Sequence, residues 1–164
     1  MISVQGRPRR QKPGLLHLSS KADYGFLLLI RLAGIKARRQ SLRLIAAENG
    51  LSFFFLQKVA LDLRKNMLIT ADRGKSGGYG LARPAKEISL KDIIEALDGP
   101  LAIMGCLGDK AYSCPKRNSC EVRPGLDIVN RTIINALSNT SLYDLTNSYG
   151  RSGNKRSSHK SRTN

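Results

Sequence analysis

The hydrophobic period of the chain changes after Asn66, and that change limits the fold more than any other feature. Before it, apolar side chains recur at helical spacing. Ala22, Phe26, Leu27, Leu29, Ile30 and Ala33 give residues 20–36 a broad buried helical face. Ser20 with Asp23 three residues on has capping-box spacing, and Gly34 with the basic run Lys36, Arg38, Arg39 closes the helix. A short helix fits Leu42 to Glu48 with Leu44, Ile45 and Ala47 inward, stopped by Asn49-Gly50, residues that tolerate left-handed backbone. Ser52 then caps a helix from Phe53 to Asn66, with Phe53, Phe55, Leu56, Val59 and Leu63 toward the core. After Asn66, Met67, Ile69 and Ala71 alternate with Leu68, Thr70 and Asp72. Arg73-Gly74-Lys75-Ser76-Gly77-Gly78 turns the chain, and Tyr79, Leu81 and Arg83 return it to a stop at Pro84.

Two short helices joined by a tight turn form a helix-turn-helix, and a β-hairpin directly after it is a wing. Ser89 to Leu97 makes a further helix, with a Ser89/Asp92 box and a Gly99-Pro100 stop. Residues 101–120 form a loop holding all three cysteines. Residues 121–138 carry Val122, Leu126, Val129, Ile133 and Leu137 with Ile128 and Ile134, a stripe wider than one small domain uses. Ser141 to Leu145, again with a box partner in Asp144, is a last short helix. The expected organisation is a disordered basic arm over 1–15, a winged helix-turn-helix DNA-binding domain over 16–100 and a cysteine-bearing loop over 101–120. A long helix with a final short one over 121–147 and a disordered basic tail over 148–164 complete it.

The 28 Lys+Arg against 12 Asp+Glu give a net charge of +16, which favours a polyanionic partner: DNA, RNA or an anionic membrane surface. Residues 1–14 and 151–164 together supply +9 of this and contain no acid, so residues 15–150 are basic by themselves. Both tails are poor in large apolar residues and cannot offset their ordering entropy by burial. No apolar run approaches the roughly 20 residues a membrane span needs. Nothing resembles a secretory signal, so the expected location is the cytoplasm. Three cysteines there do not read as a disulfide framework.

Two constellations carry chemistry. The exposed face of the third helix should include Phe54, Gln57, Lys58, Asp62 and Lys65. In a major groove Gln pairs with adenine, Lys reaches guanine and Phe presses on a thymine methyl. Arg73 and Lys75 at the wing tip suit a phosphate or minor-groove contact. The competing readings are a protein–protein surface, and a Phe54 that merely completes the core. The Gly74–Gly80 run lacks the strand-then-helix setting and Gly-Lys-Ser/Thr end of a nucleotide loop. The second constellation is Cys106-x7-Cys114-x5-Cys120. Soft thiolates suit zinc or an iron–sulfur cluster. The spacing favours a metal over inert thiols, with a redox switch by thiol oxidation as a third reading. His17 and His159 lie in or beside the tails and make poor fourth ligands. Paired carboxylates and a Ser/His/Asp set are missing, so an enzyme is not expected.

Several segments together resemble the Rrf-type winged-helix iron–sulfur transcriptional regulators, the family of IscR and NsrR. These are Leu18-Ser19-Ser20-Lys21-Ala22-Asp23-Tyr24, Leu63-Arg64-Lys65-Asn66-Met67-Leu68, Arg73-Gly74-Lys75-Ser76-Gly77-Gly78-Tyr79, Ile94-x-Ala96-Leu97-Asp98-Gly99 and the three cysteines, spanning about residues 16–146. The resemblance implies a mainly α fold with a small β-wing, in which the long helix after the cysteines is a dimerisation helix. It also implies a homodimer on double-stranded DNA, and a 2Fe-2S or 4Fe-4S cluster on Cys106, Cys114 and Cys120 that tunes DNA affinity. The base-reading positions fall on Phe54, Gln57, Lys58 and Arg73. IscR-like members place a His ligand three residues beyond the last cysteine; here that residue is Arg123, which cannot deprotonate and so cannot ligate. NsrR-like members use an Asp from the partner's first helix, and the matching residue is Asp23, whose competing role is the cap with Ser20. The Cys106–Cys114 gap is two residues longer than in either. The expected function is a repressor whose operator affinity follows a cluster sensing nitric oxide, redox state or cluster supply. The alternatives are a cluster-free regulator sensing through thiols or a partner protein, and a basic non-DNA interaction module.

Overall fold

A computed structural model of the chain describes residues 18–34, 39–74, 77–108, 116 and 118–153, with side chains as far as residue 147. Its helices are α1 (Ser20–Ala33), α2 (Leu42–Glu48), α3 (Phe53–Lys65), α4 (Leu90–Asp98), α5 (Arg123–Asn139) and α6 (Leu142–Gly153). Strands β1 (Ile69–Asp72) and β2 (Gly78–Leu81) lie between α3 and α4. The expected mainly helical fold with a small wing is what the chain adopts. The last helix reaches well beyond Leu145, the end read from the sequence.

α1 runs through the centre. It buries Ala22, Gly25, Leu28, Leu29 and Leu32, while Phe26, Leu27, Ile30 and Ala33 are only half-buried. The face read from the sequence was therefore rotated, because α1 packs on α3, α4 and α6 through its small residues. The cap also moves. Ser19, not Ser20, caps α1: its hydroxyl accepts from the Ala22 N–H at 3.1 Å. The same hydroxyl donates to Asp98 Oδ1 at 2.5 Å, and the Ser19 N–H donates to Asp98 Oδ2 at 3.2 Å. A carboxylate at the end of α4 thus selects which serine caps α1, and no local spacing encodes that choice. Asp23 is released from the box.

α2 buries Leu42, Ile45 and Ala46, the i, i+3, i+4 stripe that meets α3. Leu44, expected inward, is 53% exposed, and Ala47 is exposed with it. A helix of seven residues has one buried stripe, and residues 42, 45 and 46 occupy it. The Asn49-Gly50 stop is as expected, with Gly50 at φ +63° and the Leu51 N–H closing on the Ala46 carbonyl at 2.9 Å. Arg31 of α1 donates to Asn49 Oδ1 at 2.6 Å, and Asn49 Nδ2 donates to the Ile45 carbonyl at 2.7 Å, which fixes the turn.

The wing pairs Ile69 with Leu81, Thr70 with Gly80, Ala71 with Tyr79 and Asp72 with Gly78, antiparallel. Arg83 lies beyond the return strand and pairs with Asp92 at 2.8 Å. Gln40 adds a one-residue third strand, exchanging both backbone hydrogen bonds with Tyr79 at 2.8 and 2.9 Å. Beside it Arg39 bridges Asp72 Oδ2 at 2.5 Å and Thr70 Oγ1 at 2.9 Å. Arg39 read from sequence as part of a terminating basic run; it is a clamp on the wing.

Ser89 and Asp92 form the expected capping box on α4. The Leu90 N–H donates to the Thr140 carbonyl at 2.9 Å and the Leu142 N–H to the Ile88 carbonyl at 2.8 Å, so α4 and α6 start side by side. At α6, Ser141 and Asp144 cap reciprocally, and the Ser141 hydrogen bonds hold the Asp144 carboxyl below the usual carboxylate range.

Gly50 and Gly78 distinguish two kinds of glycine. A Cβ on Gly50 meets nothing within 4 Å, whereas one on Gly78, at φ +148°, would lie 2.8 Å from the Gln40 carbonyl oxygen. Gly50→Ala should cost about 1–2 kcal/mol, the left-handed penalty alone. Gly78→Ala should cost more and speed amide exchange at Gln40 and Tyr79. Urea unfolding with hydrogen exchange checks this; equal costs would mean that Gln40 does not pack on the wing.

Candidate DNA interface and cysteine site

α3 has two unlike faces. Leu56, Val59, Ala60 and Leu63 are buried, and Phe54, Gln57, Lys58 and Lys65 are exposed on the other side. Phe54 is 76% exposed, so it does not complete the core. Phe55 and Phe53 serve the packing instead. Phe55 meets the Tyr24 ring edge-on with centroids 4.7 Å apart, and Arg43 stacks over Phe53 at 4.9 Å. The Tyr24 hydroxyl also accepts from the Ser52 N–H at 3.4 Å, and Ser52 caps α3 through the Phe55 N–H. The start of α3 is thus seated on α1 by the residue next to Asp23.

Asp62, expected on the exposed face, is a correction. Its Oδ2 lies 2.7 Å from Lys21 Nζ on α1, and it is only about one-third exposed. Lys21 also donates to the Leu97 carbonyl at 2.8 Å. Asp62 therefore braces helices, and the remaining polar residues of the outer face are uncharged or basic. At the wing, Arg73 is exposed beside Gly74, while Lys75 lies outside the described residues.

The two described cysteines, Cys106 and Cys120, sit on two connected segments. Cys106 lies half-buried in a 3-10 turn, Gly105–Leu107, and is a free thiol. Cys120, also free and half-buried, precedes α5 by three residues. Cys114 lies outside the described residues. What joins the segments is Asn130, the one fully buried polar side chain among the described residues, at 4% exposure on α5. Its Oδ1 accepts from the Ile103 N–H at 3.0 Å, fastening the Cys106 segment to the helix that Cys120 introduces. The sequence offered a signal for this: a lone Asn within an apolar stripe.

Cys120, Asn118, Arg123, Pro124 and Asp127 line a recess of about 430 Å³. Arg123 Nε is buried there without a hydrogen-bond partner among the described residues. The nearby Asp127 carboxylate pairs with Arg131 at 2.8 Å. Asp23 is exposed in the first turn of α1, and its carboxylate makes no hydrogen bond or ion pair among the described residues. Those residues contain no group of three or more His, Cys, Asp or Glu side chains placed to hold a metal within one chain.

A family model described as Rrf2, iron-dependent transcriptional regulator, matches residues 18–148. The chain belongs to the Rrf2 family. A helix-turn-helix-type transcriptional regulator of Mycobacterium tuberculosis is 35% identical over 125 residues, 73% of this chain and 76% of that one. Among solved structures, CymR, the global cysteine regulator of B. subtilis, matches with a TM-score of 0.65 and 28% identity over 80% of this chain and 97% of its own. IscR of T. potens matches with a TM-score of 0.61 and 26% identity over 90% and 92%. This Rrf2 member is accordingly a transcriptional regulator, and its relatives are regulators rather than enzymes. No helix among its described residues is long and apolar enough to cross a membrane.

The two faces of α3 give separable outcomes. Leu56→Ala should destabilise the fold by about 2–5 kcal/mol, and Phe54→Ala should change stability by no more than about 0.5 kcal/mol. Chemical denaturation of both variants checks this; a large loss in Phe54→Ala would place that ring in the core.

Proposed function

We propose that this Rrf2 regulator is a homodimeric DNA-binding repressor whose operator affinity follows an iron–sulfur cluster, either 2Fe-2S or 4Fe-4S, held by Cys106, Cys114, Cys120 and Asp23 of the partner subunit. The carrying observation is the adjacency of Asp23 and Tyr24. Asp23 offers at the start of α1 a carboxylate with no hydrogen bond or ion pair among the described residues, and Tyr24 seats the start of α3 through Ser52 and Phe55. A pull on Asp23 is therefore felt one residue away by the helix that would read DNA.

The donor set fits the group. Three thiolates and a carboxylate are soft and hard anionic donors of the kind iron accepts, and Arg123 Nε, on the same recess as Cys120, is a buried donor with no acceptor among the described residues. When bound, the cluster supplies iron open to nitric oxide or oxygen. Asn130 holds the Cys106 segment against α5, and Asp23, the weakest of the four donors, is the contact most easily lost. On DNA, Gln57 and Lys58 meet base edges, Phe54 a thymine methyl, and Arg73 with Lys75 the backbone or minor groove. Dimerisation through α5 is supported by its exposed apolar residues, Ile128 at 61% and Val129 at 48%, with Val122 just before it at 64%. An apolar recess of about 450 Å³, lined by Phe26, Ile94, Ile103, Ile133 and Leu137 among others, lies beside the inner side of the same helix. A second copy would cover the exposed row.

A second reading keeps the DNA-binding role and replaces the cluster by thiol chemistry. The free thiols of Cys106 and Cys120, and the likeness to a global cysteine regulator, favour it.

Anaerobic purification separates the two. The cluster reading expects a coloured protein with iron and acid-labile sulfide, and Asp23→Ala that shortens cluster lifetime while the iron-free protein keeps its melting temperature. A colourless, iron-free wild type whose operator binding responds to a thiol oxidant would establish the second reading. For the DNA face, Gln57→Ala should cost about 1–3 kcal/mol at its own base pair only. Lys58→Ala should do likewise if it reads guanine, or lower the salt slope by about 1 if it meets a phosphate. Titrations on operator variants at two salt concentrations distinguish these, and unaltered affinity in both variants would remove α3 from the interface.

A further inference from the structure

Arg43 of α2 is exposed and makes no ion pair among the described residues. Several other arginines are engaged by polar side chains: Arg31 by Asn49, Arg39 by Asp72 and Thr70, Arg83 by Asp92 and Arg131 by Asp127. Arg43 is held differently, with its guanidinium carbon 4.9 Å from the centroid of the Phe53 ring. Phe53 is the first residue of α3, and its ring lies 5.8 Å from that of the exposed Phe54. The guanidinium therefore stands beside the surface that carries Phe54, Gln57 and Lys58. A planar guanidinium stacked on a ring keeps its in-plane N–H edge free, and that edge fits two phosphate oxygens at once. The stack also reduces the rotamer freedom lost when the contact forms. A major groove is about 12 Å wide, so a helix lying in it has a phosphate backbone on either side.

We propose that Arg43 binds a backbone phosphate beside the major groove that α3 enters, and that Phe53 is the positioning residue that holds it there. The inference rests on the DNA-binding reading of α3 above and is independent of the cysteines. The contact reads no base. It fixes where along the groove the start of α3 sits, so that Phe54, Gln57 and Lys58 meet their base pairs in register. Phe53 then has two uses: the ring packs partly against the core, and its face carries Arg43.

The test uses the full chain and two labelled duplexes, one enriched by the wild type from a random pool and one of scrambled sequence. Affinities are measured from about 50 to about 200 mM salt. Arg43→Ala should keep a native circular dichroism spectrum and weaken binding to both duplexes by a similar factor. It should also reduce the slope of log affinity against log salt by about 1 per bound subunit. The affinity deficit then shrinks about 3.5-fold per contact across that salt range. Arg43→Lys, which keeps the charge and loses the planar fork, should keep the wild-type slope and bind more weakly than the wild type. Phe53→Leu should weaken binding when Arg43 is present and add nothing to Arg43→Ala. Equal losses in the two backgrounds overturn the positioning role of Phe53. If Phe53→Leu does not fold, Arg43→Lys alone tests the stack, and wild-type affinity in it overturns that role. An unaltered salt slope in Arg43→Ala overturns the phosphate contact and leaves the DNA reading standing. A loss confined to the enriched duplex also overturns it, because Arg43 would then read a base. A wild type that enriches no duplex and does not bind the scrambled one overturns the DNA reading of α3 and this contact with it.

Discussion

A Cβ at position 25 would collide with Leu97 of α4 and come within 3.6 Å of Val59 of α3. A side chain at residue 25 would therefore have to displace the end of Leu97 on α4, while its approach to Val59 on α3 would be an ordinary contact. Around that crossing the polar groups are arranged to match. Lys21 reaches Asp62 and the Leu97 carbonyl at once, Ser19 bonds Asp98, and Tyr24 meets Ser52 and Phe55. An ion pair as exposed as Lys21–Asp62 is worth about 1 kcal/mol or less, so the apolar crossing supplies the energy and the polar contacts set the angle. The position of α3, and with it the outward direction of Gln57 and Lys58, follows from this packing on α1.

What the sequence made readable was local. Ser52, Ser89 and Ser141 cap the helices they precede, Asn49-Gly50 stops α2, and the alternation after Asn66 is a two-stranded wing. Each depends on a few adjacent residues, so each is carried by spacing alone. Readings that failed depended on partners distant in sequence. Ser19 displaced Ser20 because Asp98 lies 79 residues away, Asp62 turned inward because Lys21 was there to receive it, and Arg39 left its basic run for Asp72. Leu28 escaped notice in a helix with apolar residues on most of its circumference, where periodicity cannot tell the crossing face from its flanks.

The cysteine site was readable in another way. Spacing supported a metal without choosing one, and the family narrowed the choice to the proposal made above. Asn130 and Arg123 could not have been assigned from type alone, since a buried Asn and an N-terminal Arg are common. Their meaning comes from the Ile103 N–H that one accepts and the acceptor that the other lacks among the described residues. α5 is thus tied to the Cys106 segment at Asn130 and follows Cys120 closely, while its Ile128 and Val129, with Val122 just before it, are exposed.

The sensing proposed above would need little energy to act. A tenfold change in operator affinity corresponds to 1.4 kcal/mol. One ordinary hydrogen bond contributes about 0.5–1.5 kcal/mol, and an edge-on aromatic pair about the same beyond its burial. Those are the two contacts Tyr24 makes with the start of α3, and the hydrogen bond is a long one at 3.4 Å. Straining them by a small rotation of the first turn of α1 would suffice for a tenfold response, with the Gly25 crossing left intact. Asp23 is exposed in that turn, so under the proposed function a ligand on its carboxylate would act next to the two Tyr24 contacts. The rest of the helix, buried through Leu28, Leu29 and Leu32, would stay as the fixed end of the lever.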